Sequence, residues 1–316
     1  MDEGSGSEFP APGLPHGLAM RRPPAAARGF WCEVTPLAGG CIGVAIGLHI
    51  GSDIPVRSAS AVSDALRRGH DPVEALSAVA PSAGQALCAV IDRPASRVSV
   101  SSVGDLAPVI AGPGVGHRTV RCPPGCLTTA DLSPGDSMLL CTAAPGRSGA
   151  LLDACTTAHP CDALDRIVGD LTSAADRDGP AAVIYRHPPT PLEMSLPAEP
   201  YHLATMRNEL RQWLALAGVD AADCADALLA VGEAASNAAE HAGVGVAHEV
   251  RLSIHASVGD GRLRFMVSDN GRWKPARDFP GDRGHGIELI NALVDAADVT
   301  TGENGTTVSM LKEMRP

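Results

Sequence analysis

The chain is short of aromatic residues, of lysine and of any run of basic side chains. Aromatics make up 3% of its 316 residues, too few for a platform on which successive bases stack. Lys and Arg total 25 against 36 Asp and Glu, a formal net charge of −11, so the electrostatic footprint of direct DNA or RNA binding is missing. No secretory leader opens the sequence, and its nine cysteines are scattered and odd in number. Reduced thiols in a cytoplasmic protein are therefore expected. Cys122 and Cys126, spaced CPPGC with His117 upstream, lack a second half with zinc-site spacing. The longest apolar run, LAGGCIGVAIGLHIG, contains His49 and several glycines and is too short to span a membrane. It reads as a buried strand.

What is present suits two ordinary cores, with 45% hydrophobic residues and a length that suggests two domains. Residues 1–27, rich in Gly, Pro and Ala, are expected to form a disordered tail. Residues 28–187 alternate short apolar runs with turn clusters. CIGVAIGLHI, QALCAVID, RVSVSSV, APVIAG, DSMLLCTA and AAVIYR read as strands, and AVSDALRRG, DPVEALSAVA and HPCDALDRIVGDLTSAAD as helices. The proline-dense stretch 188–200 marks a linker and leading strand. In residues 201–316, Leu203, Met206, Leu210, Trp213 and Ala217 recur at helical steps, and Asp220 or Asp223 starts a second helix. The strands HEVRLSIHASV and GRLRFMVSD meet at a Gly-Asp-Gly turn; the helix GIELINALVDAA and a last hairpin follow. The expected class is α+β in two domains.

Three features of the second domain carry chemistry. Glu233, Asn237 and His241 recur every four residues in an alanine-rich helix, which sets them on one face. That face is either solvated or presents an acid, an amide and an imidazole to a ligand. The strand of VSDNGRW ends at Asp269 with Gly271 beyond it, and a carboxylate there can accept from an exocyclic amine such as adenine's. In GDRGHGIELINAL, Gly284 and Gly286 run into a helix whose free N–H groups and positive dipole end suit phosphate. An Asn amide oxygen is a hard ligand for Mg²⁺.

Taken in order, ExxxNxxxH, DxGxW, RGxG and GTT resemble the GHKL (Bergerat-fold) ATPases, specifically the anti-sigma-factor serine kinases of bacterial partner-switching systems, over about residues 192–314. The resemblance implies a Bergerat-fold α/β sandwich that binds ATP and Mg²⁺. In it Glu233 would be the catalytic base, Asn237 the Mg²⁺ ligand, Asp269 the adenine reader and Gly271 the support for close approach of the ring. Gly284 and Gly286 would border the phosphates beneath a lid at about 273–283, and Thr306 would assist on the adenine side. His241 is read as either structural or supporting the site residues from behind. Implied partners are a sigma factor and a small antagonist phosphorylated on Ser or Thr, with homodimerisation of the kinase domain and no membrane or nucleic-acid partner. A sensor histidine kinase fits less well, since the phosphoacceptor-histidine helix pair is absent.

The first domain resembles the metal-dependent PPM phosphatases of the sporulation type, an α/β/β/α sandwich, over about residues 28–187. RGFWCEV is similar to the family's GGDFYDV, IGLHIGSDIPV to IGDVSGKGVPA, LSPGDSMLLCTAAPG to LxPGDxLLLYTDGV, and DGPAAVIYR to DDITLLVLR. The metal-binding aspartates do not carry over. Gly29 and Cys32, Leu48, Ala143, and Gly179 with Pro180 are taken to stand in their places, with Glu33, Asp53, Asp105 and Asp178 nearby. Without carboxylates nothing holds a pair of divalent cations, so a pseudophosphatase with a regulatory role is expected. Alternatives are a non-catalytic ATP-binding scaffold and a bifunctional kinase–phosphatase.

Overall fold

Strands that alternate polar and apolar residues and strands that are apolar throughout both occur here, and each kind lies where its pattern demands. The computed structural model describes residues 16–21, 29–49, 55–79, 83–113, 116–142, 159–171, 180–241, 249–271, 286–302 and 305–315. The chain divides into two units, residues 1–187 and 188–316.

In the first unit the elements are β1 (Leu18–Arg21), β2 (Phe30–Pro36), β3 (Cys41–His49), α1 (Pro55–Arg67), α2 (Pro72–Ser77), β4 (Ala83–Asp92), β5 (Arg97–Val103), β6 (Val109–Gly112), β7 (Gly116–Thr119), β8 (Thr128–Asp131), β9 (Ser137–Cys141), α3 (Pro160–Leu171) and β10 (Ala182–Arg186). They build two antiparallel sheets, ordered β1-β10-β9-β6-β7 and β2-β3-β4-β5-β8. Ile42, Val44, Ile46, Leu87 and Val100 of one sheet meet Ile110, Met138, Leu140 and Val183 of the other in a shared core. Helices α1 and α2 cover the outer face of the second sheet through Val62, Leu66 and Leu76. Helix α3 covers the first through Ala163, Leu164 and Ile167. The result is the α/β/β/α sandwich expected. Strands β9 and β10 are buried along their whole length because helix lies on one face and sheet on the other, hence their unbroken apolar sequences.

Strand β1 corrects the expectation of a tail through residue 27. Leu18–Arg21 pairs antiparallel with Tyr185–Ala182, and Leu18 and Ala19 are buried. A four-residue strand flanked by Pro and Gly has no local signal; its partner lies more than 160 residues away.

The second unit contains β11 (Leu192–Pro197), α4 (His202–Leu216), α5 (Ala221–His241), β12 (Arg251–Gly259), β13 (Arg262–Asp269), α6 (Gly286–Leu293), β14 (Ala296–Gly302) and β15 (Gly305–Glu313). One antiparallel sheet, β11-β12-β13-β15-β14, packs its apolar face against the helices. Leu252, Ile254, Leu263, Phe265 and Val267 meet Met206, Leu210, Leu214, Val231, Ala235 and Ile290 there. Asp260 at φ 51° and Gly261 at φ 72° form the left-handed two-residue turn favoured between twisted strands. Asp220 caps α5, its Oδ1 accepting from the amides of Ala222 at 2.7 Å and Asp223 at 2.9 Å. The helix expected to run through Ala297 stops at Leu293. The Asp295 amide donates to Leu311 O and its carboxylate accepts from the Glu313 amide, so pairing with β15 takes over. Among the described residues, no helix is long and apolar enough to cross a membrane.

Candidate functional site

Helix α5 buries Ala227, Ala230, Val231, Ala234, Ala235 and Ala238 in the core, which leaves Glu233 and Asn237 half-buried along one edge. That edge faces the start of α6. A Cβ added to Gly286 would lie 2.5 Å from Glu233 Oε1 and 3.0 Å from Asn237 Nδ2. The acid and the amide therefore rest against the α-carbon of the glycine that opens α6. Any larger residue there would displace them, which explains the glycine.

A second group forms where β13 and β15 run side by side. Asp269 ends β13 half-buried, and its Oδ1 accepts from the Gly271 amide at 2.8 Å. Burial pushes its pKa above the usual carboxylate range, against the opposing pull of hydrogen bonds from the Gly271 and Thr306 amides. Thus Asp269, Gly271 and Thr306, separated in sequence, are joined by hydrogen bonds. Gly305 belongs with them and was not singled out from the sequence. At φ +122°, its missing Cβ would fall 1.8 Å from the Asp269 carbonyl oxygen, so only glycine allows the strands to close on each other there. The signal available was its place in NGTT. Asn270 anchors the same turn, its Oδ1 accepting from the Arg251 amide at 2.7 Å. Helix α5 packs on both β13 and β15, which puts the two groups on the helix-covered side of one sheet. Gly284, the lid stretch 273–283 and the His241 side chain lie outside the described residues.

The donor set at the α5 edge fits Mg²⁺. The Asn237 amide oxygen is a hard donor that leaves the other positions of this small, reluctantly dehydrated cation to water and phosphate.

In the first unit, two of the sequence correspondences shift when the segments are counted end to end. Phe30 pairs directly with Leu48, and setting RGFWCEV on GGDFYDV end to end places Phe30 and Glu33, not Gly29 and Cys32, at the aspartate positions. DGPAAVIYR on DDITLLVLR likewise keeps Asp178 and sets Gly179 beside it. A carboxylate is thus retained at Glu33 and Asp178, while Phe30, Leu48 and Ala143 are carbon. Ala143, Asp178 and Gly179 lie outside the described residues. Among the described residues, no three His, Cys, Asp or Glu side chains gather in a metal-holding group.

Residues 196–312 match the family model of the histidine kinase-like ATPase domain. Serine-protein kinase RsbW of Staphylococcus epidermidis is 28% identical over 139 residues, covering 39% of this chain and 87% of that protein. RsbW of Staphylococcus aureus strain JH9 is 28% identical over 144 residues with the same coverages. The crystal structure of the RsbU and RsbW domains of Rv1364c from Mycobacterium tuberculosis matches across both units. It covers 96% of this chain and 97% of that one, at 25% identity and a TM-score of 0.51.

Proposed function

For a chain that joins a PPM-phosphatase-like sandwich to a histidine kinase-like ATPase domain, we propose the function of a Mg-ATP-dependent serine/threonine protein kinase that is also an anti-sigma factor. The observation that carries this is the closure of Glu233 and Asn237 on Gly286. It brings an acid, an amide and a helix N-terminus suited to phosphate to one point, which supports the roles of base and metal ligand. Phosphoryl transfer asks a protein for positioning and charge neutralisation more than for covalent chemistry. Glu233 accepts the proton of a substrate Ser or Thr hydroxyl as its oxygen bonds the γ-phosphorus and ADP departs. Asn237 would hold Mg²⁺, which supplies neutralisation of phosphate charge. Asp269, oriented by the Gly271 and Thr306 amides, accepts from the adenine amine. The substrate is a small anti-sigma antagonist and the sequestered partner a sigma factor, as the family resemblance implies; the serine-protein kinase relatives support the phosphotransfer alone. The first unit serves as a regulatory pseudophosphatase.

The test starts with affinity purification from the native cell with Mg-ATP present, followed by mass spectrometry of partners and phosphosites. A sigma factor, or a small protein bearing phosphoserine or phosphothreonine, is expected. With that substrate, Glu233→Ala lowers phosphotransfer by about 10²–10⁴-fold, the range of a general base, while Mg-ATP affinity stays essentially unchanged. Equal transfer by both proteins would remove Glu233 from the base role.

A further inference from the structure

Lys312 lies near the end of β15 with 6% of its surface exposed. Its ammonium donates to Asp226 Oδ2 at 3.0 Å and to the Leu293 carbonyl at 3.1 Å, and stands 3.4 Å from Asp223 Oδ1. These acceptors come from different elements: Asp223 and Asp226 from the first turns of α5, Leu293 from the last residue of α6. Lys312 itself sits on the strand whose other end carries Thr306. Arg315 closes the cluster, its amide donating to Asp223 Oδ2 at 2.8 Å and its guanidinium 3.4 Å from Asp223 and 3.7 Å from Asp226. None of these groups belongs to the candidate nucleotide site.

Their spacing nonetheless ties them to it. Asp226 precedes Glu233 by seven residues, and Gly286 precedes Leu293 by seven. Seven residues are about two helical turns, so each pair shares a face and spans about 10 Å. Helices α5 and α6 thus lie antiparallel with a rung at each end. Gly286 rests against Glu233 at one end, and the ammonium bridges Leu293 and Asp226 at the other. We propose that Lys312 is a positioning residue for the nucleotide site. It fixes the axial register of α6 on α5 and so holds the N-terminus of α6 level with Glu233 and Asn237.

Stability alone does not call for such a cluster, since apolar side chains of similar volume often replace buried ion clusters without loss. Apolar contacts, however, tolerate sliding, whereas an ammonium shared between a carboxylate and a helix-end carbonyl does not. The compact charge of lysine suits acceptors converging from three directions better than the flat fork of arginine. It also sits at the negative end of the α6 dipole.

The inference rests on the nucleotide-site assignment, and its test separates the two. In the full chain without nucleotide, amide hydrogen exchange at residues 286–290 is compared among wild type, Lys312→Met and the milder Asp226→Asn, at a temperature where each is folded by circular dichroism. Affinity for Mg-ATP is measured alongside. Exchange at 286–290 is expected to rise about tenfold in Lys312→Met and less in Asp226→Asn, with Mg-ATP affinity falling in the same order. Ile167→Val, a core change in the first unit, is expected to lower stability and do neither. Faster exchange confined to residues 293–295 and 312–315 would overturn the proposal and leave the lysine a local pin. Should Lys312→Met fail to fold, Asp226→Asn decides alone. A wild-type chain that binds no Mg-ATP would end the nucleotide assignment, while exchange at 286–290 would still decide the register.

Discussion

Leu48 of the first unit and Asp269 of the second stand at comparable places: each lies at or next to the end of a strand, where the family resembled has an aspartate. Around Leu48 the scaffold is intact. Ile42, Val44 and Ile46 of the same strand are fully buried, and the two-sheet sandwich closes as usual. Around Asp269 a carboxylate is half-buried with its pKa pushed up by burial, a burden that apolar side chains would avoid. The contrast shows that strand cores and site residues are separable. Apolar alternation alone builds each sandwich, and the carboxylates are an additional demand. We read the carboxylate kept at Asp269 in one unit, and the carbon at Phe30, Leu48 and Ala143 in the other, as in keeping with the proposed division of labour, in which one unit acts on nucleotide and the other only recognises.

The largest effect that could break this comparison is turnover in the first unit. Incubated with Mn²⁺ and a phosphate monoester such as p-nitrophenyl phosphate, the full chain is expected to release no phosphate above the protein-free rate. The carbon at Phe30, Leu48 and Ala143 leaves Glu33 and Asp178 without the set needed to clamp two cations. Metal-dependent turnover that survives Glu233→Ala would place a working site in the sandwich and end the pseudophosphatase assignment.

A smaller effect sharpens it. Two glycines meet side chains at nearly the same distance: a Cβ on Gly286 would lie 2.5 Å from Glu233 Oε1, and one on Gly47 would lie 2.6 Å from the Trp31 ring. Gly47→Ala overpacks a core and is expected to destabilise by about 1–3 kcal/mol with Mg-ATP affinity unchanged. Gly286→Ala displaces the base and the metal ligand, and is expected to weaken Mg-ATP binding about tenfold, or roughly 1.4 kcal/mol. Urea unfolding and titration calorimetry separate the two losses. An unchanged affinity in Gly286→Ala would mean that the closure on Glu233 and Asn237 is only packing.

Those candidate residues were legible in the sequence because each needs a particular chemical type at a fixed local spacing. Glu233 and Asn237 are one helical turn apart, Asp269 and Gly271 two residues apart, and Gly286 opens its own helix. Most strands of the three sheets were equally legible through period-two alternation or apolar runs. What stayed hidden depends on distant partners. Strand β1 exists because Tyr185 and its neighbours accept it as an edge. The exposed β7, GHRT, and the half-exposed β8, TTAD, carry no apolar signal of their own. Asp223 looked like a helix cap and proved to be a buried partner of Lys312 and Arg315. Gly305 matters only once β13 and β15 are side by side.

The smallest expected effect concerns protons at Asp269, and its sign separates a working carboxylate from a merely buried one. Its folded pKa is raised from an ordinary value of 3.8. In the pH window above 3.8 and up to that raised value, the folded chain holds more protons than the unfolded one. Asp269 therefore makes stability fall as pH rises through the window. An adenine amine donating to the ionised carboxylate favours the charged form, so Mg-ATP affinity must rise with pH over the same window. Asp269→Asn is expected to flatten this component of both profiles and to weaken nucleotide binding at neutral pH, while leaving the nucleotide-free chain as stable or more so. Titration calorimetry from just above 3.8, the ordinary value, up to neutrality provides the affinities, and urea unfolding the stabilities. If affinity and stability instead fall together on acidification, Asp269 is held for the fold, and the contrast with Leu48 loses its functional meaning.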